Sequence, residues 1–222
     1  MITKAVEDYL KTIHSLHTYQ EKVSTSSIAE RLGVAQASVT GMLKKLAELK
    51  LVEYSPYHGV ELTSAGKKIA LEIIRHHRLL ELYLAEAMGY SWDKVHDEAE
   101  KLEHFISEEF EDKMDAFLGQ PTVDPHGAPI PTKEGHLPEH DYNSLLDVEP
   151  GRKVRILEVL DDDAEKLRYL GKIGLFPKSE FLVVSKGPFN GPIEIKIGEN
   201  THHLSAEVAG VIFVEEVNQK KS

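Results

Sequence analysis

Apolar residues recur every three or four positions through about the first 120 residues, which is the spacing of amphipathic helices. One such segment spans residues 6–16, and two more span residues 28–32 and 35–49. Gly33 lies between the last two and favours a tight turn there. Two short β-rich runs then flank residues 55–59, and together these elements predict a winged helix-turn-helix.

The pattern changes twice in the rest of the chain. Residues 65–90 and 91–119 form two further helical segments, which should pack together or form a face between subunits. Residues 120–145 are rich in proline, glycine and histidine, which predicts a linker or a wrapping loop. Beyond them, short β-rich runs separated by glycine-containing turns predict a small β-barrel. The expected fold is therefore mainly α with β structure.

Composition limits the chemistry that the 222-residue chain can carry. It has no cysteine, so we expect no disulfide and no thiolate zinc site, and any metal must be bound by histidine and carboxylate. The net charge is −11, but residues 1–80 carry 11 Lys and Arg against 8 Asp and Glu, so this third can still face phosphates. Because no apolar run reaches about 18 residues and no apolar signal core begins the chain, we expect a cytoplasmic protein without a membrane partner.

The segment from His96 to His104 is unusually rich in electron-pair donors. If it is helical, steps of about 100° per residue place four donors on one face. They are His96, Glu100, Glu103 and His104. About 12 Å separates the first from the last along the axis, so this face offers two cation positions. Carboxylates this close repel one another, and a divalent cation would remove that cost.

Two other helices carry donors of the same kind. His77 and Glu81 lie one turn apart on the preceding helix, and Asp8 lies on the first helix. Each of these residues alone is more typical of a solvated surface than of a binding site. Histidine and carboxylate pairs on two helices together favour a metal site.

The chain contains, in this order, the segments EDYLKTI, IAERLGVAQASVTGMLKKL, GVELTSAGKKIA, RHHRLLELYL, VHDEAEKLEH and DPHGAPIP. Together they resemble the diphtheria-toxin repressor family of metal-dependent transcriptional repressors, over nearly the whole length. The resemblance implies a winged-helix DNA-binding domain at residues 1–72. It further implies a helical metal-binding and dimerisation domain with the wrapping loop at 73–140, and an SH3-like, FeoA-like β-barrel at 141–222.

The resemblance implies a main regulatory metal site. Its ligands would be Asp8, Glu100, Glu103 and His104, with His77 close by. Iron-responsive members have methionine and cysteine in place of Asp8 and Glu100, whereas carboxylates are typical of the manganese-responsive branch. Hard oxygen ligands favour Mn²⁺ relative to softer ions. We therefore expect Mn²⁺ as the cofactor, with Fe²⁺ as the alternative and Zn²⁺, Co²⁺ or Cd²⁺ as substitutes in vitro.

Three-domain members have a second metal site, and the resemblance implies one near His77, Glu81 and His96. Further candidate ligands lie beyond the helices; they are Asp124, His126, Asp161, Asp162 and Glu165. The last three could equally form a solvated acidic turn. Shorter manganese-responsive members have a glutamate at the position that Lys11 occupies here. A lysine ammonium cannot bind a cation, which argues against the two-metal cluster of those members in this chain.

The third helix, residues 35–49, should enter the major groove of operator DNA with its N-terminal turn leading. Its candidate DNA contacts are Gln36, Ala37, Ser38, Thr40 and Lys44, and those of the wing are Tyr57 and His58. Lys44 favours phosphates, which carry little sequence information. Ser38 and Thr40 could instead only stabilise the start of the helix.

The expected function is a homodimeric repressor that binds double-stranded operator DNA when loaded with Mn²⁺ and controls metal-uptake genes. It would have no small-molecule substrate and no enzymatic activity. Three alternatives remain open: an iron-responsive repressor, a carboxylate-bridged metalloenzyme, and a winged-helix regulator whose carboxylates pair with basic residues of a partner protein. The enzyme is disfavoured for two reasons. A carboxylate-bridged bundle needs Glu-x-x-His on two helices, which the chain does not provide, and the His-Glu-x-x-His motif of zinc enzymes does not occur either.

Overall fold

The computed structural model describes residues 2–19, 22–55, 59–138, 143–161 and 163–217. The chain divides into two compact units. The first unit comprises residues 1–77, 100–111 and 131–137, and the second comprises residues 78–99, 112–130 and 138–222. The expected domain limits at residues 72 and 140 stay a prediction.

Five elements at the start of the chain form the expected winged helix-turn-helix. They are α1 (Lys4–Tyr19), α2 (Thr25–Leu32), α3 (Gln36–Glu48), β1 (Val52–Ser55) and β2 (Gly59–Leu62). Ser24 caps α2 by accepting a hydrogen bond from the backbone of Ser27. Gly33 ends α2 in the left-handed conformation, with φ of 63°. The two strands pair antiparallel, and Tyr57 and His58 of the predicted wing lie outside the described residues.

Three helices follow the wing where the sequence predicted two. They are α4 (Ser64–Glu86), α5 (Val95–Leu102) and α6 (Glu108–Phe117). The expectation of one continuous helix after residue 91 is wrong, because the chain leaves the helix after Leu102. The carbonyl oxygen of Glu103 lies 3.2 Å from Nδ1 of His76, and Ser107 caps α6 by accepting a hydrogen bond from Phe110 N. His104 and Glu103 therefore do not share a helical face with His96.

The rest of the second unit contains a six-stranded antiparallel sheet. Its strands are β3 (Asn143–Ser144), β4 (Lys153–Val159), β5 (Glu180–Lys186), β6 (Ile193–Ile197), β7 (Asn200–Leu204) and β8 (Ile212–Glu216). Their order is β3-β8-β4-β5-β6-β7, and alternate residues such as Val154 and Ile156 are fully buried. The β-rich runs of the sequence predicted β4 to β6, but the single run predicted over residues 201–217 forms two strands, β7 and β8, with a short helix between them.

The helix α7 (Ala164–Lys172) was missed by the sequence analysis, which described only an acidic turn there. Asp163 caps this helix by accepting hydrogen bonds from the backbone of Glu165 and Lys166. Leu167 and Leu170, one turn apart, are buried in the core of the sheet domain. A short helix, α8 (Ala206–Ala209), precedes β8.

Residues 120–138 contain neither a helix nor a strand, as the proline-rich composition predicted. None of the helices in the described part of the chain has the length and apolar character needed to span a membrane.

A buried ion pair network fixes α4 to α6 within the first unit. Arg75 Nε donates to Glu111 Oε1 at 2.5 Å, and its guanidinium also donates to the carbonyl oxygen of Pro131 at 2.8 Å. His76 Nε2 lies 3.1 Å from Glu111 Oε2. The hydrogen bond from His76 lowers the pKa of Glu111 to about 2; burial opposes this effect and Arg75 adds to it.

We predict that Glu111→Gln destabilises the metal-free chain by about 3 kcal/mol near neutral pH, because it removes the buried negative charge that pairs with Arg75. The pKa of Glu111 is lowered from an ordinary 4.5, so its stabilisation is complete above that pH and is lost as pH falls towards about 2. The stability difference between parent and variant, measured by urea denaturation, should shrink over that range. Glu109→Gln, on the exposed side of α6, is the control, and equal stability of both variants at neutral pH would contradict the prediction.

Candidate metal centres

Three predicted ligands of the main site lie together in the first unit. Asp8 on α1, and Glu103 and His104 just beyond α5, each offer an atom within 4.8 Å of the others. We call these three residues the helix cluster. Nε2 of His104 lies 2.8 Å from Asp8 Oδ1 and 3.3 Å from Glu103 Oε1. The side chains of Glu103 and His104 are 0% and 2% exposed, so the carboxylate of Glu103 is shielded from water.

Glu7 orients the His104 ring, a role that the sequence analysis missed. Its Oε2 lies 2.6 Å from Nδ1 of His104. In the tautomer with the proton on Nδ1, the ring donates to Glu7 and presents the lone pair of Nε2 to the other two members of the cluster. Although Asp8 Oδ1 lies 2.8 Å from Nε2, this contact lacks the geometry of a hydrogen bond, so Nε2 has no hydrogen-bond partner among the described residues. A buried ring nitrogen of this kind, close to two carboxylates, fits a cation ligand.

The crowding of carboxylates also affects Asp8. Burial raises its pKa, and the nearby charges of Glu100 and Glu103 raise it further, while His104 and Lys4 act in the opposite direction. Repulsion between these carboxylates costs free energy that a divalent cation would remove.

Glu100, the fourth predicted ligand of the main site, groups with His77 and Glu103 around the ammonium of Lys11. We call His77, Glu100 and Glu103 the lysine cluster. Lys11 Nζ donates to Glu100 Oε1 at 2.8 Å and to the two oxygens of Glu103 at 2.8 and 3.0 Å. It also lies 3.1 Å from Nδ1 of His77. The structure therefore divides the expected main site into two groups that share Glu103, and ligation by Glu100 stays a prediction.

Lys11 is charged in this environment. Burial lowers the pKa of its ammonium, but the charges of Glu103 and Glu100 raise it by more, so the net shift is upward. The sequence predicted that Lys11 cannot bind a cation. This prediction is consistent with the structure, in which the ammonium of Lys11 is itself the cation surrounded by the lysine cluster.

A second group of donors lies in the second unit, and we call it the barrel cluster. It consists of Glu81 on α4, His96 on α5, Asp124 and His126 in the proline-rich loop, and Asp161 just after β4. His96 Nδ1 lies 2.9 Å from Asp161 Oδ2 and 3.3 Å from Glu81 Oε1. His126 Nδ1 lies 3.8 Å from oxygens of Glu81 and Asp161, beyond hydrogen-bond distance.

The loop that carries His126 is held tightly in place. The backbone N–H of Val159 donates to the carbonyl oxygen of His126 at 2.9 Å, and Asp124 Oδ1 accepts from His126 N at 2.8 Å. Nε2 of His126 lies 2.7 Å from the carbonyl oxygen of Trp92 and must be the donor, because a carbonyl only accepts. Nδ1 is then left facing the carboxylates, and no described residue bonds to it.

Protons supply the positive charge of the barrel cluster when no metal is bound. Burial lowers the pKa of His96, but hydrogen bonds with Asp161 and Glu81 raise it to about 11. Burial lowers the pKa of His126 as well, but the interaction with Glu81 outweighs this effect and the pKa rises to about 9. Burial raises the pKa of Asp124 to about 7, and Glu81 adds to the rise. A metal bound here would displace some of these protons.

One further predicted ligand, Glu165, does not join the barrel cluster. Glu165 is exposed in the first turn of α7, because the helix begins immediately after its Asp163 cap. The structure gives no support to its role as a ligand. Asp162 lies outside the described residues.

The predicted recognition helix presents its N-terminal turn to solvent. Gln36, Ala37, Ser38 and Lys44 are exposed on α3. The hydroxyl of Thr40 donates to the carbonyl oxygen of Gln36 at 3.1 Å, so it acts within the helix in the absence of DNA. No side chain caps the start of α3 at Ala35, which leaves its first amide groups available to a phosphate.

Three family models match consecutive parts of the chain. The N-terminal DNA-binding domain of iron-dependent repressors matches residues 1–60. Their metal-binding and dimerisation domain matches residues 63–132, and the FeoA domain matches residues 143–216. The expected order of winged helix, helical domain and SH3-like domain is confirmed.

Whole proteins of known kind are similar over nearly the full length. A manganese-dependent transcriptional repressor, solved in complex with manganese, is 38% identical, with a TM-score of 0.91 and coverage of 96% of this chain and 100% of that chain. The manganese regulator SloR is 33% identical, with a TM-score of 0.80 and coverage of 96% and 98%. The iron-dependent repressor IdeR of Mycobacterium leprae is 28% identical over 97% of this chain and 99% of its own length.

These similarities extend across all three domains, and they agree with the resemblance carried by the sequence motifs. A repressor acts by binding rather than by catalysis. The chain belongs to the diphtheria toxin repressor family of metal-dependent transcriptional repressors.

Proposed function

We propose that this chain is a Mn²⁺-dependent repressor that acts in the cytoplasm and binds operator DNA as a homodimer. The observation that carries the proposal is the helix cluster, in which Asp8 of the winged helix meets Glu103 and His104 from beyond α5. A ligand bound there would hold the DNA-binding elements against the helical region.

The donor set supports Mn²⁺ as the cofactor. Two carboxylates and one imidazole nitrogen are hard or borderline donors, and the chain has no cysteine to favour softer ions. The relative solved with manganese and SloR point in the same direction. Fe²⁺ is the second candidate, because the chain is also similar to the iron-dependent IdeR. Affinity alone ranks Mn²⁺ below Fe²⁺, so selectivity must come from geometry and metal availability.

The residues of the helix cluster would act as follows. Asp8, Glu103 and His104 would hold the ion, while Glu7 keeps the His104 ring in the required orientation. A divalent cation would supply the positive charge that allows these donors to remain together. Because α1 shares one hydrophobic core with α2 and α3, through residues such as Leu10 and Leu43, the position of Asp8 is linked to that of the recognition helix. Coupling of about 1–3 kcal/mol would change operator affinity about 5- to 150-fold.

The barrel cluster would be a second metal site in the same chain. Its candidate ligands are Glu81, His96, Asp124, His126 and Asp161. Nδ1 of His126, buried and without a hydrogen bond to a described residue, is the feature that best fits a ligand.

We predict that Asp8→Ala abolishes the metal dependence of DNA binding while the fold remains intact. The probe is a duplex selected from a random-sequence library by the parent chain in the presence of Mn²⁺, and binding is followed by fluorescence anisotropy. The variant should lose about 5- to 150-fold in Mn²⁺-dependent affinity. Asp97→Ala, an exposed carboxylate on α5, is the matched control.

Coincident Mn²⁺ activation curves for Asp8→Ala and parent would contradict the role of the helix cluster. The same titration with anaerobic Fe²⁺, Zn²⁺ and Co²⁺ tests the choice of metal. Activation by Fe²⁺ without activation by Mn²⁺ would overturn that choice.

We predict that two exposed residues of α3 act differently on DNA. Lys44→Ala should weaken binding to all duplexes equally and reduce the slope of log affinity against log salt by about 1. Gln36→Ala should cost about 1–3 kcal/mol on the selected duplex and little on unrelated DNA. Lys172→Ala, exposed on α7, is the control. Equal effects of Gln36→Ala on selected and unrelated duplexes would exclude base reading by this residue.

We predict that the fluorescence of Trp92, the single tryptophan of the chain, reports Mn²⁺ in the barrel cluster. The Trp92 ring stacks on His126 with 5.7 Å between centroids, so a paramagnetic ion there should quench it. His126→Ala should abolish the quenching, and Asp8→Ala should retain it.

Because His96 and His126 must lose protons to bind a metal, with pKa values of about 11 and about 9, the apparent affinity of the barrel cluster for Mn²⁺ should rise as pH rises. Affinity that falls with rising pH would contradict this reading.

A further inference from the structure

The ammonium of Lys11 is held as a metal ion would be held. Its Nζ lies 2.8 Å from Glu100, 2.8 and 3.0 Å from the two oxygens of Glu103, and 3.1 Å from Nδ1 of His77. These contacts come from three side chains on α4, on α5 and beyond the end of α5. Exposed lysine–carboxylate pairs contribute little to stability, but here the side chain of Lys11 is 17% exposed and that of Glu103 is fully buried.

The three side chains around Lys11 can also bind a metal by their own geometry. One atom from each of His77, Glu100 and Glu103 lies within 4.8 Å of the others. The lysine cluster is therefore a cation position, and it adjoins the helix cluster because both use Glu103.

The charges of the two clusters balance with one lysine and one divalent ion. Together the clusters contain three carboxylates, those of Asp8, Glu100 and Glu103. One ammonium and one divalent cation carry three positive charges, which equals the negative charge of these three candidate ligands. Glu7 lies outside this count because it bonds to the other ring nitrogen of His104. A second divalent cation beside Lys11 would face both electrostatic repulsion and the volume of the lysine side chain.

We propose that Lys11 permanently fills a second cation position beside the helix cluster and so restricts this centre to one divalent ion. Replacing the ammonium would open that position to a second divalent cation of the Mn²⁺ class, bound by His77, Glu100 and Glu103. The proposal rests on the proposed function of the helix cluster.

The decisive variant is Lys11→Glu, which removes the ammonium and adds a fourth carboxylate, so that two divalent ions balance the charge. The full-length chain should also carry His96→Ala and His126→Ala, which remove two donors of the barrel cluster and leave the first unit unchanged. Manganese per chain is counted by native mass spectrometry in saturating Mn²⁺. Electron paramagnetic resonance then distinguishes an isolated Mn²⁺ from a magnetically coupled pair.

We expect one manganese per chain in the background protein and in the matched control Lys11→Arg, which keeps the positive charge. We expect a second manganese, with a coupled spectrum, in Lys11→Glu. Lys11→Gln, which keeps a neutral side chain of similar length, should bind the second ion more weakly, and it provides the count if Lys11→Glu does not fold.

The possible failures are distinguishable. One manganese in both Lys11→Glu and Lys11→Gln overturns the proposal and leaves the helix cluster as a metal site. Two in the background protein overturn it as well, because Lys11 would not exclude the second ion. No manganese in the background protein overturns the proposed function of the helix cluster together with this inference.

Discussion

The first unit depends on the buried carboxylate of Glu103. A charge without access to water is tolerated only when opposite charges and hydrogen bonds surround it. Lys11 and His77 supply them on one side, and His104 and Asp8 lie on the other. These residues come from α1, from α4 and from the segment beyond α5. One carboxylate therefore joins three segments of the chain.

The helix and barrel clusters balance their negative charge in different ways. Beside the helix cluster the compensating charge is a lysine, which stays protonated because its carboxylate neighbours raise its pKa. In the barrel cluster it is carried by His96 and His126, whose raised pKa values describe protons that a metal can replace. By our proposal, the first arrangement limits the helix cluster to one divalent ion. If a metal binds the barrel cluster, the second arrangement would make that binding depend on pH, because the ion must displace these protons.

Much of the fold follows from local patterns, because apolar spacing and the Gly33 turn predicted α1 to α4, and β-rich runs separated by glycine-containing turns predicted the strands of the barrel. The break after α5 does not, since it depends on His76 bonding to the carbonyl of Glu103 from a distant part of the chain. The Asp163 cap is a sequence signal for the start of α7, but the acidic residues beside it were interpreted as metal ligands or an acidic turn. Glu7 could not be predicted from donors that share a helical face, because it is adjacent to Asp8 and adjacent residues on a helix point about 100° apart. The sequence showed that Lys11 cannot bind a cation, but only tertiary packing placed it among three donors.

The most direct test of this account is anomalous X-ray diffraction at the manganese edge from crystals of the chain grown with Mn²⁺. The account predicts an anomalous peak bounded by Asp8, Glu103 and His104, with the ammonium of Lys11 still within hydrogen-bond distance of Glu103. A helix cluster without a peak in crystals that contain bound manganese elsewhere would contradict it.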